Sequence, residues 1–423
     1  MNKQCGENME IRASKESDFE EIINLICTVF VEKCRPRYAS QIYHDSSFQP
    51  HQSRVCVIDG KIVSHIRVSD RAIQIGRSVI RLGGIGMVAT LPEYRHRGYA
   101  SALMQDSIEY MEEIGYELSL LFTTIQPFYM KFGWATFPQT NFELDLHAKK
   151  QFEPSSWIVR AFDAETDLAQ ISQIYDEHNK TRSGTVLRSE SYWRDTYSHQ
   201  VGLLPSLVAE KDGTIGAYAN FGFPTDLDGM DPFLATYYPN LREVGYRSQH
   251  PDSLLALCRA ILISIYKRDL TSISGRLHRY HPLIALLSEE SGSQPSFTIT
   301  EKAMYRIVSL YSLFQKMIPE FEKRLAGHRE NSIPTSFCFI LESQVSTLKI
   351  NQGKVTVTND NSGGTKVRID THRFLKVLFG DATFSQLEEL NHFKGLRLEP
   401  NDIVTLDTLF PKGESMHWIC DYF

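Results

Sequence analysis

Cysteine is scarce and scattered in this chain of 423 residues: seven in all, an odd number, with no C-x-x-C pair. That argues against a disulfide-framed fold and a paired-cysteine zinc site, so no metal is expected, and it suits thiols kept reduced in a cytoplasmic setting. Charge of one sign is also lacking. The formal net charge of -6 leaves no basic excess of the kind nucleic acid requires, and no nucleic-acid partner is expected. No apolar run approaches the roughly twenty residues of a membrane span. The opening stretch MNKQCGENMEIRASKESDFEE has no apolar core of signal-peptide length. Neither a membrane partner nor a location outside the cytoplasm is expected.

What is present describes a globular protein, with 42% hydrophobic and 23% charged residues. The length exceeds what one core organises, so two or three domains are expected. Glu10 to Ala13 reads as a first strand, and Phe19, Ile22, Ile26 and Val29 as the apolar face of a helix. Cys34 to Gln52 reads as a long loop or broken helix. Asp59-Gly60 and Gly76-Arg77 mark two hairpins ahead of a strand at Ile85 to Ala89.

The most informative stretch runs from Leu82 to Trp134. Pro92 stops the strand, and Arg95-His96-Arg97-Gly98-Tyr99-Ala100-Ser101 follows at once. Ala100, Leu103, Ser107, Ile108, Met111 and Ile114 then trace one helical face that ends at Gly115. Leu118 to Thr123 is a buried-strand run, and Phe128-Tyr129-Met130-Lys131-Phe132-Gly133-Trp134 closes the stretch. A basic glycine loop opening a helix gathers backbone N–H groups, the helix dipole and fixed positive charge: an anion cradle suited to pyrophosphate. Gly98 lets the phosphate approach the backbone. By itself such a loop is common on surfaces; its place between strand, helix, strand and aromatic turn makes it specific.

That ordered set resembles the Gcn5-related N-acetyltransferase (GNAT) superfamily. The resemblance implies a mixed α+β fold and binding of acetyl-CoA, with Arg95, His96, Arg97, Gly98, Tyr99, Ala100 and Ser101 holding the pyrophosphate. Val88, Ala89 and Thr90 would offer backbone groups to the pantetheine arm, with Thr124 and Ile125 facing them. It also implies that the Tyr129 hydroxyl faces the thioester sulfur. A tyrosine of pKa about 10 stays protonated at neutral pH and can protonate a departing thiolate. A base is harder to find: Glu32, Glu93 and Glu117 are available but read better as solvated surface charge.

Beyond about Lys150 the layout begins again. Trp157 to Phe162, the hairpin around Asp212-Gly213 and the helix Ser253 to Tyr266 repeat the first plan, but GYRSQHPD replaces the cradle. This middle part reads as a degenerate copy. From Glu301 the pattern changes: a helix is expected over Met304 to Arg324. Strands are expected at Cys338 to Glu342, Thr347 to Asn351 and Lys354 to Asn359, then short helices at Arg373 to Phe379 and Phe384 to Leu390. This last part resembles the sterol-carrier-protein fold. The expected division is 1–150, 151–299 and 300–423.

The whole order, with His178-Asn179-Lys180-Thr181-Arg182-Ser183-Gly184 and Tyr192-Trp193 in the middle part, resembles the enhanced-intracellular-survival (Eis) acetyltransferases. It implies that the α-carboxylate of Phe423 acts as the base, behind an anchor of Trp418, Ile419 and Tyr422, with Asp421 adding charge that favours a cationic acceptor. It further implies hexamers and acceptors such as aminoglycosides, polyamines or lysine side chains. His96 departs from the arginine-richer loop of that family. Two other readings stay open: an apolar-ligand carrier working through the last domain, and a non-catalytic coenzyme A sensor.

Overall fold

The computed structural model describes residues 8–30, 35–147, 149–199, 206–223, 240–326, 334–361, 363–389 and 398–423. Glu32, Cys34, Ser362 and Leu390 fall outside them. Twelve strands form one continuous mixed sheet. Its first half contains β1 (Met9–Ala13), β2 (Ser53–Ile58), β3 (Lys61–Ile75) and β4 (Ser78–Thr90), each antiparallel to the last. β5 (Leu118–Phe122) then joins β4 in parallel. The two expected hairpins are there, but the second continues without a break through Gly83 and Gly84 to the end of β4. Helices α1 (Phe19–Val29), α2 (Arg35–Tyr43) and α3 (Tyr99–Ile114) cover this half, so the stretch after Cys34 is helical at its start. α4 (Gln126–Met130) and β6 (Ala135–Asp145) follow.

The second half repeats the order with β7 (Ile158–Ala161), the hairpin β9 (Leu207–Lys211) and β10 (Thr214–Phe221), and β11 (Leu241–Tyr246). Helix Pro251–Lys267 then crosses to β12 (Ser272–Gly275), which lies parallel to β11 as β5 does to β4.

The two halves exchange their last strands. β6, from the first half, lies against β12 of the second. β13 (Ser296–Ile307) enters the first half and pairs antiparallel with β5 on one side and β6 on the other. The expected helix over Met304 to Arg324 is therefore wrong in its first turn: Ala303 to Ile307 are strand, buried between two neighbours, and the helix spans Leu310–Leu325. Ser309 resets the chain as an N-cap, its hydroxyl accepting from the Ser312 N–H at 3.2 Å. The 299/300 division falls inside β13.

A separate four-stranded sheet follows, of β14 (Thr335–Leu341), β15 (Gln344–Asn351), β16 (Lys354–Thr358) and β17 (Thr365–Arg368), in the order β16-β15-β14-β17. Its centre is filled by phenylalanine rings, among them Phe314, Phe321, Phe337, Phe339 and Phe374. The same apolar cluster takes in Ile73, Ile75, Ile80 and Leu82 of the β3–β4 hairpin, so this unit shares one core with the first half. Burial of this continuous apolar surface is what fixes the third unit against β4. Among the described residues, no helix is long and apolar enough to cross a membrane.

Candidate active site

The parallel pairing of β4 with β5 lasts for three residues, Leu82 to Gly84 against Leu118 to Leu120, and then stops. Beyond Gly84 the two strands diverge, so the edge of β4 from Ile85 to Thr90 has backbone groups free of that ladder. A bulge sharpens the divergence: the β3–β4 register shifts between His65 and Arg67, and Met87 opposite has φ 49°. His65 holds the bulge. Its Nδ1 meets the Met87 carbonyl at 3.0 Å and its Nε2 the Ser53 hydroxyl at 2.8 Å. Burial lowers its pKa to about 4, so the ring is neutral at pH 7. The carbonyl can only accept, so Nδ1 carries the proton and Nε2 accepts from Ser53.

At the mouth of this wedge the chain turns through His96 and Gly98, with φ of 64° and 89°, into α3. The Ser101 and Ala102 N–H groups both turn back to the Gly98 carbonyl at 3.0 Å, closing the first turn of α3. A hollow of about 340 Å3 lies here, lined by Thr90, Arg95, His96, Gly98, Tyr99, Ala100 and Ser101, together with Tyr94 and Phe128. Tyr94 and Phe128 were not anticipated, since aromatic residues next to a turn read as core. Arg97 was expected here but is turned away: it donates to the Glu93 carbonyl at 3.1 Å and its guanidinium lies 5.3 Å from the centre of the Tyr94 ring. Of the expected pantetheine groups, Ala89 is buried toward α1, while Val88 packs toward α3. Thr124 and Ile125 are exposed beyond the end of β5.

Tyr129 sits in α4, which Pro127 opens at its first turn. Its ring packs edge-on against Phe128 at 5.0 Å and Trp134 at 6.5 Å, within the cluster that includes Val88 on the α3 face of the sheet. Burial pushes its pKa up to about 12, opposed by a hydrogen bond with the Thr123 side chain. The hydroxyl therefore keeps its proton throughout the neutral range.

Phe423 comes to the same wedge from the opposite face. A Cβ placed on Gly84 would stand 2.6 Å from its ring, and one on Gly86 would stand 3.1 Å from its backbone carbonyl carbon and oxygen. Both positions need glycine because the tail lies directly on β4. The tail is fastened by the very stretch singled out in the middle part. Glu414–Ser415 pairs in parallel with β8 (Arg182–Ser183). The Met416 N–H donates to the Ser183 carbonyl at 2.8 Å, His417 Nδ1 to the Gly184 carbonyl at 3.2 Å, and Trp418 Nε1 to Asn179 Oδ1 at 3.1 Å. The Tyr422 ring stacks on Phe122 with centroids 3.6 Å apart and its hydroxyl bonds with Arg276.

Asp421 does not face an acceptor. Its side chain is 0% exposed and fully engaged: Arg188 donates to it from Nε at 2.8 Å and from Nη2 at 2.9 Å, and the Tyr192 hydroxyl at 2.8 Å. Glu117 is also misplaced as surface charge. It is buried, accepting from the Arg81 N–H at 2.7 Å, and lies at the start of β5 rather than at the wedge. Glu93 is exposed and 3.3 Å from Lys61.

A groove of about 730 Å3 runs along the neighbouring surface, with Asp45, Asp70, Arg71, Glu117, Tyr192 and Asp195 among its walls. Two of its four carboxylates are paired with arginine: Asp45 with Arg67 at 2.6 Å and Arg71 at 3.5 Å, and Asp70 with Arg81 at 2.9 Å. Tyr192 belongs both to this groove and to the Asp421 contact, so groove and tail share a wall. Among the described residues no group of three or more His, Cys, Asp or Glu is placed to hold a metal.

The wedge therefore combines a splayed parallel strand pair, a bulge, and a left-handed glycine turn at a helix start. Residues 10–137 match the family model described as Acetyltransferase (GNAT) domain, so this stretch of the chain is similar to a GNAT acetyltransferase domain. Solved structures of the same fold span nearly the whole chain. A conserved protein of unknown function from Enterococcus faecalis V583, described as a probable N-acyltransferase, is 18% identical with a TM-score of 0.74, covering 98% of this chain and 100% of that one. A GCN5-related N-acetyltransferase from Anabaena variabilis is 14% identical at 0.68, with the same coverage. Eis1 from Mycobacterium abscessus is 13% identical at 0.59, again covering 98% and 100%. No curated protein matches the sequence.

Proposed function

We propose that the chain is an N-acetyltransferase that moves the acetyl group of acetyl-CoA directly to a primary amine in a ternary complex. The observation that carries the proposal is the wedge: an anion cradle at its mouth, Tyr129 against one face of the sheet and Phe423 against the other. A thioester lying between β4 and β5 would have Tyr129 on one side and Phe423 on the other. The amine nitrogen attacks the thioester carbonyl carbon, with free amides along β4 stabilising the oxyanion. The carbon–sulfur bond then breaks and Tyr129 passes its proton to the thiolate. The α-carboxylate of Phe423, ionised at neutral pH, takes the proton that the ammonium must lose.

The groove beside the tail is the acceptor entrance in this reading. Aminoglycosides, polyamines and lysine side chains are the acceptor classes to try. The carrier reading has nothing comparable in its favour, because phenylalanine rings occupy the centre of the last unit. The direct experiment is thiol release from acetyl-CoA with a panel of those amines. Amine-dependent release with an acetylated product is expected; coenzyme A binding without release in any case would sink the enzymatic reading and leave the sensor.

The cradle makes its own prediction. A Cβ on Gly98 meets nothing within 4 Å, but φ of 89° is left-handed and any side chain there would enter the phosphate approach. Gly98→Val is expected to raise KM for acetyl-CoA about tenfold or more, the scale of 1–3 kcal/mol for backbone strain, with kcat much less affected. Unchanged coenzyme A affinity by calorimetry would place the pyrophosphate elsewhere.

A further inference from the structure

The carboxylate of Asp421 sits two residues before Phe423, buried with a cation that the chemistry proposed above does not use. Arg188 has its guanidinium forked between two carboxylates, Asp421 on one side and Glu243 on the other, at 2.9 Å from Nη1 to Glu243. Exposures of the three side chains are 3%, 2% and 0% for Arg188, Glu243 and Asp421. The Arg188 guanidinium also lies 4.0 Å from the centre of the Tyr175 ring and 4.6 Å from that of Trp193, and Tyr218 donates to Glu243 at 2.8 Å. The trio carries one negative charge in excess. Arg71, a half-buried cation at the groove wall, lies 5.0 Å from the centre of the Tyr192 ring and contributes compensating charge.

Such a cluster is a poor way to gain stability, since desolvating three ions offsets most of their attraction and an apolar trio would serve as well. Its return is geometric. A bidentate fork accepts a carboxylate in one orientation only, and Arg188 is itself fixed by two rings and a second carboxylate. The tail downstream of Trp418 is short: the Phe423 ring lies over Gly84 with Phe122 at 5.9 Å and His417 at 6.4 Å, and none of these contacts engages its carboxyl group, which lies against Gly86. We infer that Asp421 is a positioning residue: its pairing with Arg188 and Tyr192 sets the register in which the Phe423 carboxyl group meets Gly86. The middle half, having no cradle of its own, supplies the clamp for the end of the chain. This assignment rests on the acetyl-transfer reading for its kinetic consequence but not for its structural one.

Asp421→Asn is the test. It keeps the size and an oxygen for Tyr192, and leaves Arg188 and Glu243 as a neutral pair, so the fold is retained. The expected result is a fall in kcat of about tenfold or more, with KM for acetyl-CoA within about twofold because the cradle lies elsewhere. Hydrogen exchange in the peptide spanning 414–423 is expected to accelerate in the same variant. Tyr192→Phe, which removes one donor and no charge, is expected to move both readouts in the same direction by less. Wild-type kcat in Asp421→Asn, or lost turnover with the tail as protected as before, would overturn the assignment. Faster tail exchange in a protein that acetylates no amine would instead leave the clamp standing and overturn the acetyl-transfer reading.

Discussion

Tyr129→Phe is expected to lower kcat by about a hundredfold to a thousandfold, the usual range for losing a general acid, while KM for acetyl-CoA stays within about twofold. The substitution removes one oxygen from a ring already held by Phe128, Trp134 and Val88, so packing survives. What is lost is the one proton that the aromatic turn presents to the wedge. The pH dependence follows with a definite sign. Burial raises the Tyr129 pKa to about 12, so the protonated, working form persists below that value and disappears only above it. The wild-type kcat should therefore rise with pH as the acceptor ammonium loses its proton, then stay flat without a descending limb through pH 10. Steady-state kinetics from pH 6 to 10 checks both statements. Equal kcat in the two proteins would remove Tyr129 from the chemistry, and a descending limb near pH 8 would assign the acid to another group.

The second large effect is expected at the other end of the chain. Joining a short peptide to Phe423 turns its carboxylate into an amide, which cannot take a proton at neutral pH, and the proposed base is lost. Turnover is expected to drop by at least about a hundredfold, as for loss of a general base, with the melting temperature and coenzyme A affinity nearly unchanged. Gly84→Val tests the same contact from the other side. Its Cβ would stand 2.6 Å from the Phe423 ring, closer than two such atoms can approach, so the ring must shift. A fully active extended protein would refute the role of the carboxylate. Activity in Gly84→Val but not in the extended chain would show that the carboxylate reaches the wedge without the ring.

The first half of this site was legible because its signals are local. Pro92, the left-handed Gly98, the apolar face from Ala100 to Ile114 and the stop at Gly115 sit within one strand–helix unit, and each has a physical meaning independent of the rest of the fold. Tyr129 could be chosen from among its aromatic neighbours only through the family resemblance. Three things were not legible, for different reasons. Ala303 to Ile307 carries an apolar pattern that suits a helix or a buried strand, and its strand partners in β5 lie some 180 residues away. Asp421 and Glu117 are acidic residues in the composition of any surface; nothing in the sequence shows that Arg188 and the Arg81 N–H wait for them. Arg97 was placed in the hollow by motif alone, whereas the preference of its guanidinium for the Tyr94 ring and the Glu93 carbonyl is a matter of rotamer and reach.

The exchanged strands have a consequence for how the molecule is made. β5, one wall of the wedge, is covered on its outer edge by β13, which emerges from synthesis long after the cradle and α3. Until then β5 presents unpaired N–H and C=O groups, the kind of edge that recruits other chains, and β6 waits for β12 in the same way. Neither half can close its sheet first, so the two must settle together, through contacts of large sequence separation that form slowly. A fragment cut after residue 150 would carry the whole cofactor motif and yet be a sticky, half-walled sheet. Excising this stretch alone would therefore leave β5 with an open edge, and the smallest unit in which both edges of β5 are paired runs at least through Ile307.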